Sequence, residues 1–162
     1  MQSTSQFWRY KLRPFTWDDL YTVQALLNVI SQYEQDPHFY TIEWLYYVLE
    51  KPNVNAKRNC FVAILETDRI IGYSRVESKD DLSQWKVSAG VHPEFTGIGI
   101  GQGLIRVNDF NLMAIHPSNQ PLIVIRQSFT HNKKSIKLLT RMGYKQLSIG
   151  EENHVLWEKT LR

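Results

Sequence analysis

Four glycines fall on alternate positions, from Gly97 to Gly103, within the stretch Val91-His92-Pro93-Glu94-Phe95-Thr96-Gly97-Ile98-Gly99-Ile100-Gly101-Gln102-Gly103-Leu104-Ile105. An alternating apolar run leads into them and a helical pattern leads out. Glycine lets the chain turn tightly and lets another molecule approach its backbone. A helix that opens just after such a loop points its free N–H groups and positive dipole end into it. Together these make an anion site, and phosphate is the usual occupant. Two nucleotide motifs do not fit. The Walker pattern needs a Lys after its glycines, and none follows here. The dinucleotide fingerprint needs Gly at its sixth position, where this chain has Gln102, Leu104 or Arg106 depending on the starting glycine. The plain alternative is a glycine-rich surface turn, which would weaken the start of a helix with no ligand to justify it.

Thr96-Gly97-Ile98-Gly99-Ile100-Gly101 resembles the acyl-CoA loop of the GNAT superfamily of N-acetyltransferases, usually Arg/Gln-x-x-Gly-x-Gly/Ala. Thr96 stands where that family usually carries a basic or amide side chain. The lead-in Val91-His92-Pro93-Glu94-Phe95 also resembles the family's strand end. A second segment, Asn132 to Tyr144, resembles the family's Asn-x-x-Ala/Ser-x-x-Leu-Tyr-x-x-x-Gly-Phe/Tyr pattern.

The resemblance implies acetyl transfer from acetyl-CoA to a primary amine of a small molecule or peptide, by direct attack in a ternary complex. It places the pyrophosphate on the backbone of Thr96, Gly97, Ile98, Gly99, Ile100, Gly101 and Gln102. Pantetheine would run along the strand ending at Val91, whose N–H would face the thioester oxygen, and Asn132 would contact it or cap the following helix. Many relatives use a Glu on the strand before the loop as base, but Trp85–Val91 has no carboxylate. Ser88 on that strand and Glu77 on its neighbour are the catalytic candidates, with a water-holding role for Ser88 and a solvated strand end as the plain reading of Glu77. His92 and His154 are further candidates. The family's usual acid, a Tyr, is matched by Leu139, and Tyr144 reads as core. In relatives the acceptor lies between the first helical connection and the last hairpin. Here those carry Glu34, Asp36, His38, Phe39 and Tyr40, then Glu151, Glu152 and Asn153, and acids beside aromatics suit a cationic amine.

The elements that must position these residues follow from pattern. Phe7 to Arg13 alternates as a strand closed by Pro14, and residues 1–6 are polar and expected to fray. Thr16 caps a helix with Leu20, Val23, Leu27 and Ile30 on one face. A short helix spans about Thr41 to Leu49. Cys60–Glu66 is a near-continuous apolar run, hence a central strand, and it forms a hairpin with Ile70–Glu77. Trp85–Val91 is a strand, Gly101–Ile115 a helix, and Leu122–Arg126 a strand joined through a parallel crossover. Asn132 caps a helix stopped by Gly143. Two last strands cover Tyr144–Ile149 and His154–Leu161, with a turn over 150–153. The fold class is α/β (α+β): a GNAT-like mixed sheet of about seven strands flanked by about four helices, in one domain over 1–162.

The 162 residues suit one domain. They are 43% hydrophobic and 22% charged, ordinary for a globular chain. A net charge of +3 suits a polyanionic coenzyme and is too small, and too scattered, for nucleic acid. Cys60 is the single cysteine, which excludes an internal disulfide. No run reaches the ~20 apolar residues of a membrane span, and the start lacks signal-peptide features. The expectations are a cytoplasmic protein without metal, nucleic-acid or membrane partner, with a homodimer among the assemblies the sequence leaves open. The competing functional reading is a non-catalytic acyl-CoA-binding or regulatory module on the same fold. A nucleotide-binding domain is a third.

Overall fold

The computed structural model describes residues 9–79, 84–116, 119–149 and 153–161. The expected fraying of residues 1–6, and the acids Glu151 and Glu152, lie outside them. Strand β2, Cys60–Leu65, is buried along its whole length. Cys60, Val62 and Ile64 pack with Leu20, Val23 and Leu45 on one face. Phe61, Ala63 and Leu65 pack with Ile100 and Leu104 on the other. Both faces are covered, which is why the strand reads as an unbroken apolar run. Burying one such Val or Ile side chain stabilises the fold by about 1.5–3 kcal/mol.

Seven strands form one sheet in the order β1-β2-β3-β4-β5-β7-β6. They are β1 Tyr10–Pro14, β2, β3 Ile70–Ser78, β4 Gln84–Val91, β5 Ile123–Phe129, β6 Lys145–Ile149 and β7 His154–Thr160. Among the described residues, only β4 and β5 pair in parallel. The helices are α1 Leu20–Tyr33, α2 Ile42–Leu49, α3 Ala56–Asn59, α4 Ile100–Ile115 and α5 Lys133–Arg141. Helices α1 and α2 cover one face of the β1–β4 half. Helices α4 and α5 cover the other face, over Val87, Val124, Val155 and Trp157. Among the described residues, no helix is long and apolar enough to cross a membrane.

Some details differ from the sequence expectation: β1 includes Pro14, and a 3-10 turn over Trp17–Asp19 separates Thr16 from α1. The described residues form five α-helices rather than about four, because Asn55 takes a left-handed φ of 50° and starts the four-residue α3. Four residues are too few to show a helical period. Strand β5 runs on to Phe129, past the apolar stretch that marked it, because β7 pairs with it over Ile123–Phe129. Asn108, which interrupts the apolar pattern of α4, is wholly buried and accepts a hydrogen bond from Ser74 Oγ at 3.1 Å.

The feature that makes a site is where the sheet stops pairing. Strands β4 and β5 are in register from Gln84↔Ile123 to Val87↔Arg126. Beyond Val87, β4 continues with β3 only, to Val91↔Gly72. Strand β5 continues with β7 only. The two parallel strands thus part in mid-sheet.

Candidate functional site

The gap between the parted strands opens into a cleft of about 440 Å³. Its walls are the end of β4, the glycine loop and first turn of α4, the end of β5, the start of α5, and the end of α1. His92 N–H donates to Ile71 O at 2.8 Å, which sets the phase of the β3–β4 ladder. In an antiparallel pair successive residues point their N–H groups alternately toward and away from the partner. The Val91 N–H therefore points away from β3, into the gap.

Gly97 and Gly99 have φ of 84° and 95°, the left-handed region that favours glycine. A Cβ at Gly97 would meet nothing within 4 Å, so the backbone there is open to the cleft. Tyr10 Oη donates to Gly99 O at 3.0 Å and pins the loop to β1. Helix α4 begins behind Gly99 with no side-chain cap. Its first-turn N–H groups, Ile100 to Gln102, have no partner within the helix. The anion cradle expected from the glycine spacing is thus present as geometry.

Helix α5 adds a contact that sequence order hides. Lys134 Nζ donates to Thr96 Oγ1 at 2.9 Å. A cation therefore stands at the loop position where the GNAT pattern usually has a basic side chain, supplied from another helix. Lys137 and Arg141 line the same wall. Leu139, at the family's usual Tyr position, is 6% exposed and also borders the cleft. Tyr144 is buried, accepts from Arg126 Nε at 2.9 Å, and has its phenol pushed up by burial. Tyr33, at the end of α1, also borders the cleft.

Asn132 makes two contacts. Its Oδ1 accepts the Ser135 N–H at 3.1 Å, capping α5, and its Nδ2 donates to Glu34 Oε1 at 3.0 Å. Glu34 follows the last turn of α1 and lines the cleft. Burial, then the neighbouring Asp36, pushes its carboxyl above the ordinary range, against the opposing influence of His131, the Asn132 bond and His154. Burial also works against ionisation at Asp36, but the His38 N–H and imidazole hold that carboxyl low.

The other sequence candidates lie elsewhere. Ser88, on the α1–α2 face, accepts from Arg75 Nη2 at 3.4 Å. Glu77 stands opposite Lys86 in the β3–β4 register, toward the far end of β4. Neither borders the cleft. His92 Nδ1 accepts the Glu94 N–H at 3.1 Å, so it caps a local turn. Burial and Arg69 keep this imidazole below its usual pKa. His154 packs its ring against Phe129, with centroids 4.3 Å apart. Cys60 is wholly buried, with its thiol pushed up to about 12, and is no nucleophile.

No protein-family model matches the chain, and no curated protein matches it significantly. Solved structures do. A GCN5-related N-acetyltransferase from Sphaerobacter thermophilus superposes with a TM-score of 0.75 at 17% identity, over 85% of this chain and 44% of that one. The present chain thus spans less than half the length of that neighbour. The protein yncA from Salmonella typhimurium, solved with its cofactor acetyl-CoA, gives 0.73 at 16% identity over 94% of each chain. An acetyltransferase of the GNAT family from Staphylococcus aureus Mu50 gives 0.78 at 9% identity, over 95% of this chain and all of that one (100%). The chain has the GNAT fold.

Proposed function

We propose that the chain is an acetyl-CoA-dependent N-acetyltransferase that modifies a primary amine of a small molecule or peptide by direct attack in a ternary complex. The observation that carries this reading is one continuous cleft. It joins an uncapped helix N-terminus behind two left-handed glycines to the free edge of a strand parted from its neighbour.

The residues present fit the coenzyme. The N–H groups of Gly97 to Gln102 would hold its pyrophosphate, with Lys134 and Lys137 adding positive charge. The free edge of β4 would pair with pantetheine, and Asn132 lies beside that path. Bound acetyl-CoA supplies the acyl thioester. The Val91 N–H is the fixed donor available to the carbonyl oxygen as it gains negative charge. A preorganised donor of that kind is typically worth about 3–4 kcal/mol. The neighbours named as acetyltransferases, one of them solved with acetyl-CoA, support the same reading.

A second reading, a non-catalytic acyl-CoA-binding module, is favoured by the apolar Leu139 where relatives place a phenol, and by the absence of carboxylates on β4. Fold alone does not carry activity. A thiol-release assay with acetyl-CoA and a broad amine panel separates the two. The enzyme reading expects turnover with at least one amine. Coenzyme binding with no turnover across the panel supports the module instead.

A further inference from the structure

The cleft runs past the coenzyme wall to the C-terminal end of α1, where Glu34 meets it. This residue breaks a local rule. A helix C-terminus carries partial negative charge and favours cations, yet the residue that follows α1 is Glu34, with Asp36 two positions on. The side chain is nonetheless held in place. Asn132 Nδ2 donates to its carboxylate at 3.0 Å, and His131 Nε2 lies 2.7 Å from its backbone carbonyl. A locally unfavourable carboxylate, fixed by distant elements at a cleft, points to function more than to stability.

We infer that Glu34 is the base that receives the cationic acceptor amine and takes its proton. The inference rests on the acetyltransferase reading above. The ammonium gives one proton to the Glu34 carboxylate and becomes a neutral amine with a free electron pair. That nitrogen bonds to the acyl carbon of the thioester, and the carbon–sulfur bond breaks with its electron pair on sulfur. The proton that nitrogen still carries in excess passes to sulfur through solvent. The products are a neutral amide and a free thiol, and Glu34 returns its proton to water.

The surroundings suit this task. Glu34 borders the same cleft as Gly90, Val91 and Gln127, whereas Ser88 and Glu77 do not. Burial and Asp36 make its carboxyl a stronger base than an exposed one, with His131, Asn132 and His154 acting in the other direction. Glu34 brings a carboxylate to the cleft wall, and Asp36 lies two positions beyond it, so an incoming cation meets negative charge at this end.

Glu34→Gln tests the assignment. Gln keeps an oxygen for the Asn132 donor, so the fold and the α5 cap persist. Wild type and variant are compared by acetyl-CoA calorimetry, and by kcat/KM against pH with tyramine, spermidine and a glycyl-lysine dipeptide. The expected result is an unchanged acetyl-CoA affinity, a kcat/KM lower by about 10²–10⁴, and loss of the acidic limb of the wild-type profile. In the free wild type, a carboxyl ¹³C resonance absent from the variant should titrate above the ordinary Glu range. The assignment is overturned if the variant keeps kcat/KM within about threefold, if it loses acetyl-CoA binding together with activity, or if wild type binds acetyl-CoA and acetylates none of the three amines. Failure of wild type to bind acetyl-CoA is a different result, and it removes the acetyltransferase reading itself.

Discussion

Asn132 holds Glu34 across the cleft, donating from Nδ2 to Oε1 at 3.0 Å while its Oδ1 caps α5 through the Ser135 N–H at 3.1 Å. One side chain thereby ties the start of α5 to the end of α1. Asn132→Ala removes both contacts and should cost about 1–2 kcal/mol in urea unfolding. Asn132→Asp keeps a good cap but sets a second carboxylate against Glu34. Like charges raise the folded-state pKa of the pair. The native state then takes up a proton more readily than the unfolded chain, so this variant should regain stability as pH falls from 7 to 5. An Asn132→Asp variant that follows the wild-type pH curve would contradict the contact.

The glycines of the loop differ in what they are for. Gly99 has a φ of 95°, so Gly99→Ala forces a left-handed side-chain residue and should cost about 1–2 kcal/mol. Gly101 lies inside α4, where an added Cβ would meet only the flexible end of Leu138, at 2.9 Å. Helix propensity favours Ala there by about 1 kcal/mol, so Gly101→Ala should be close to neutral. Thermal unfolding of the two variants checks the contrast.

Lys134 reaches Thr96 Oγ1 at 2.9 Å and is exposed. Its charge should help bind an anionic coenzyme while taking no part in chemistry. Lys134→Ala should raise the acetyl-CoA Kd by about two- to fivefold, the worth of one exposed charge contact, with kcat unchanged. The difference should shrink in high salt. Calorimetry at two ionic strengths would show it.

Asp19 anchors the start of α1. Arg13 donates to both carboxylate oxygens at 2.7 and 2.8 Å, and the Thr16 N–H adds a third bond at 2.9 Å. The Arg13 bonds hold this carboxyl below its usual range, against burial. A depressed folded pKa means stability that is present at neutral pH and lost as pH falls through the folded value. With Arg13 partly exposed, Asp19→Asn should cost about 1–2 kcal/mol at pH 7. The gap to wild type should narrow once pH drops below about 4. Denaturant unfolding across pH tests both statements.

The sheet and most helices were legible because their signals are local. Cys60–Leu65 is apolar on both faces, Trp85–Val91 alternates, and the glycine spacing and Asn132 each mark a helix start. The GNAT fold followed from the order of two such motifs. What the sequence hid is what the fold brings together from afar. Glu34 and Asn132 are 98 positions apart, and Lys134 and Thr96 are 38 apart. Read in order, Glu34 is one loop acid among several, and nothing in the spacing of Lys134 ties it to Thr96. The four-residue α3 gave no period to read. Ser88 and Glu77 follow from the strand where relatives carry a base and from its neighbour, yet the cleft is walled by the end of β4 and by α1.

Titration of acetyl-CoA into the purified chain tests the central claim most directly, with Gly99→Ala as the paired sample and ATP as competitor. The account predicts one-site binding that ATP does not displace, weakened in Gly99→Ala because the cradle is distorted. No binding by the wild type at millimolar acetyl-CoA, or displacement by ATP, would contradict it.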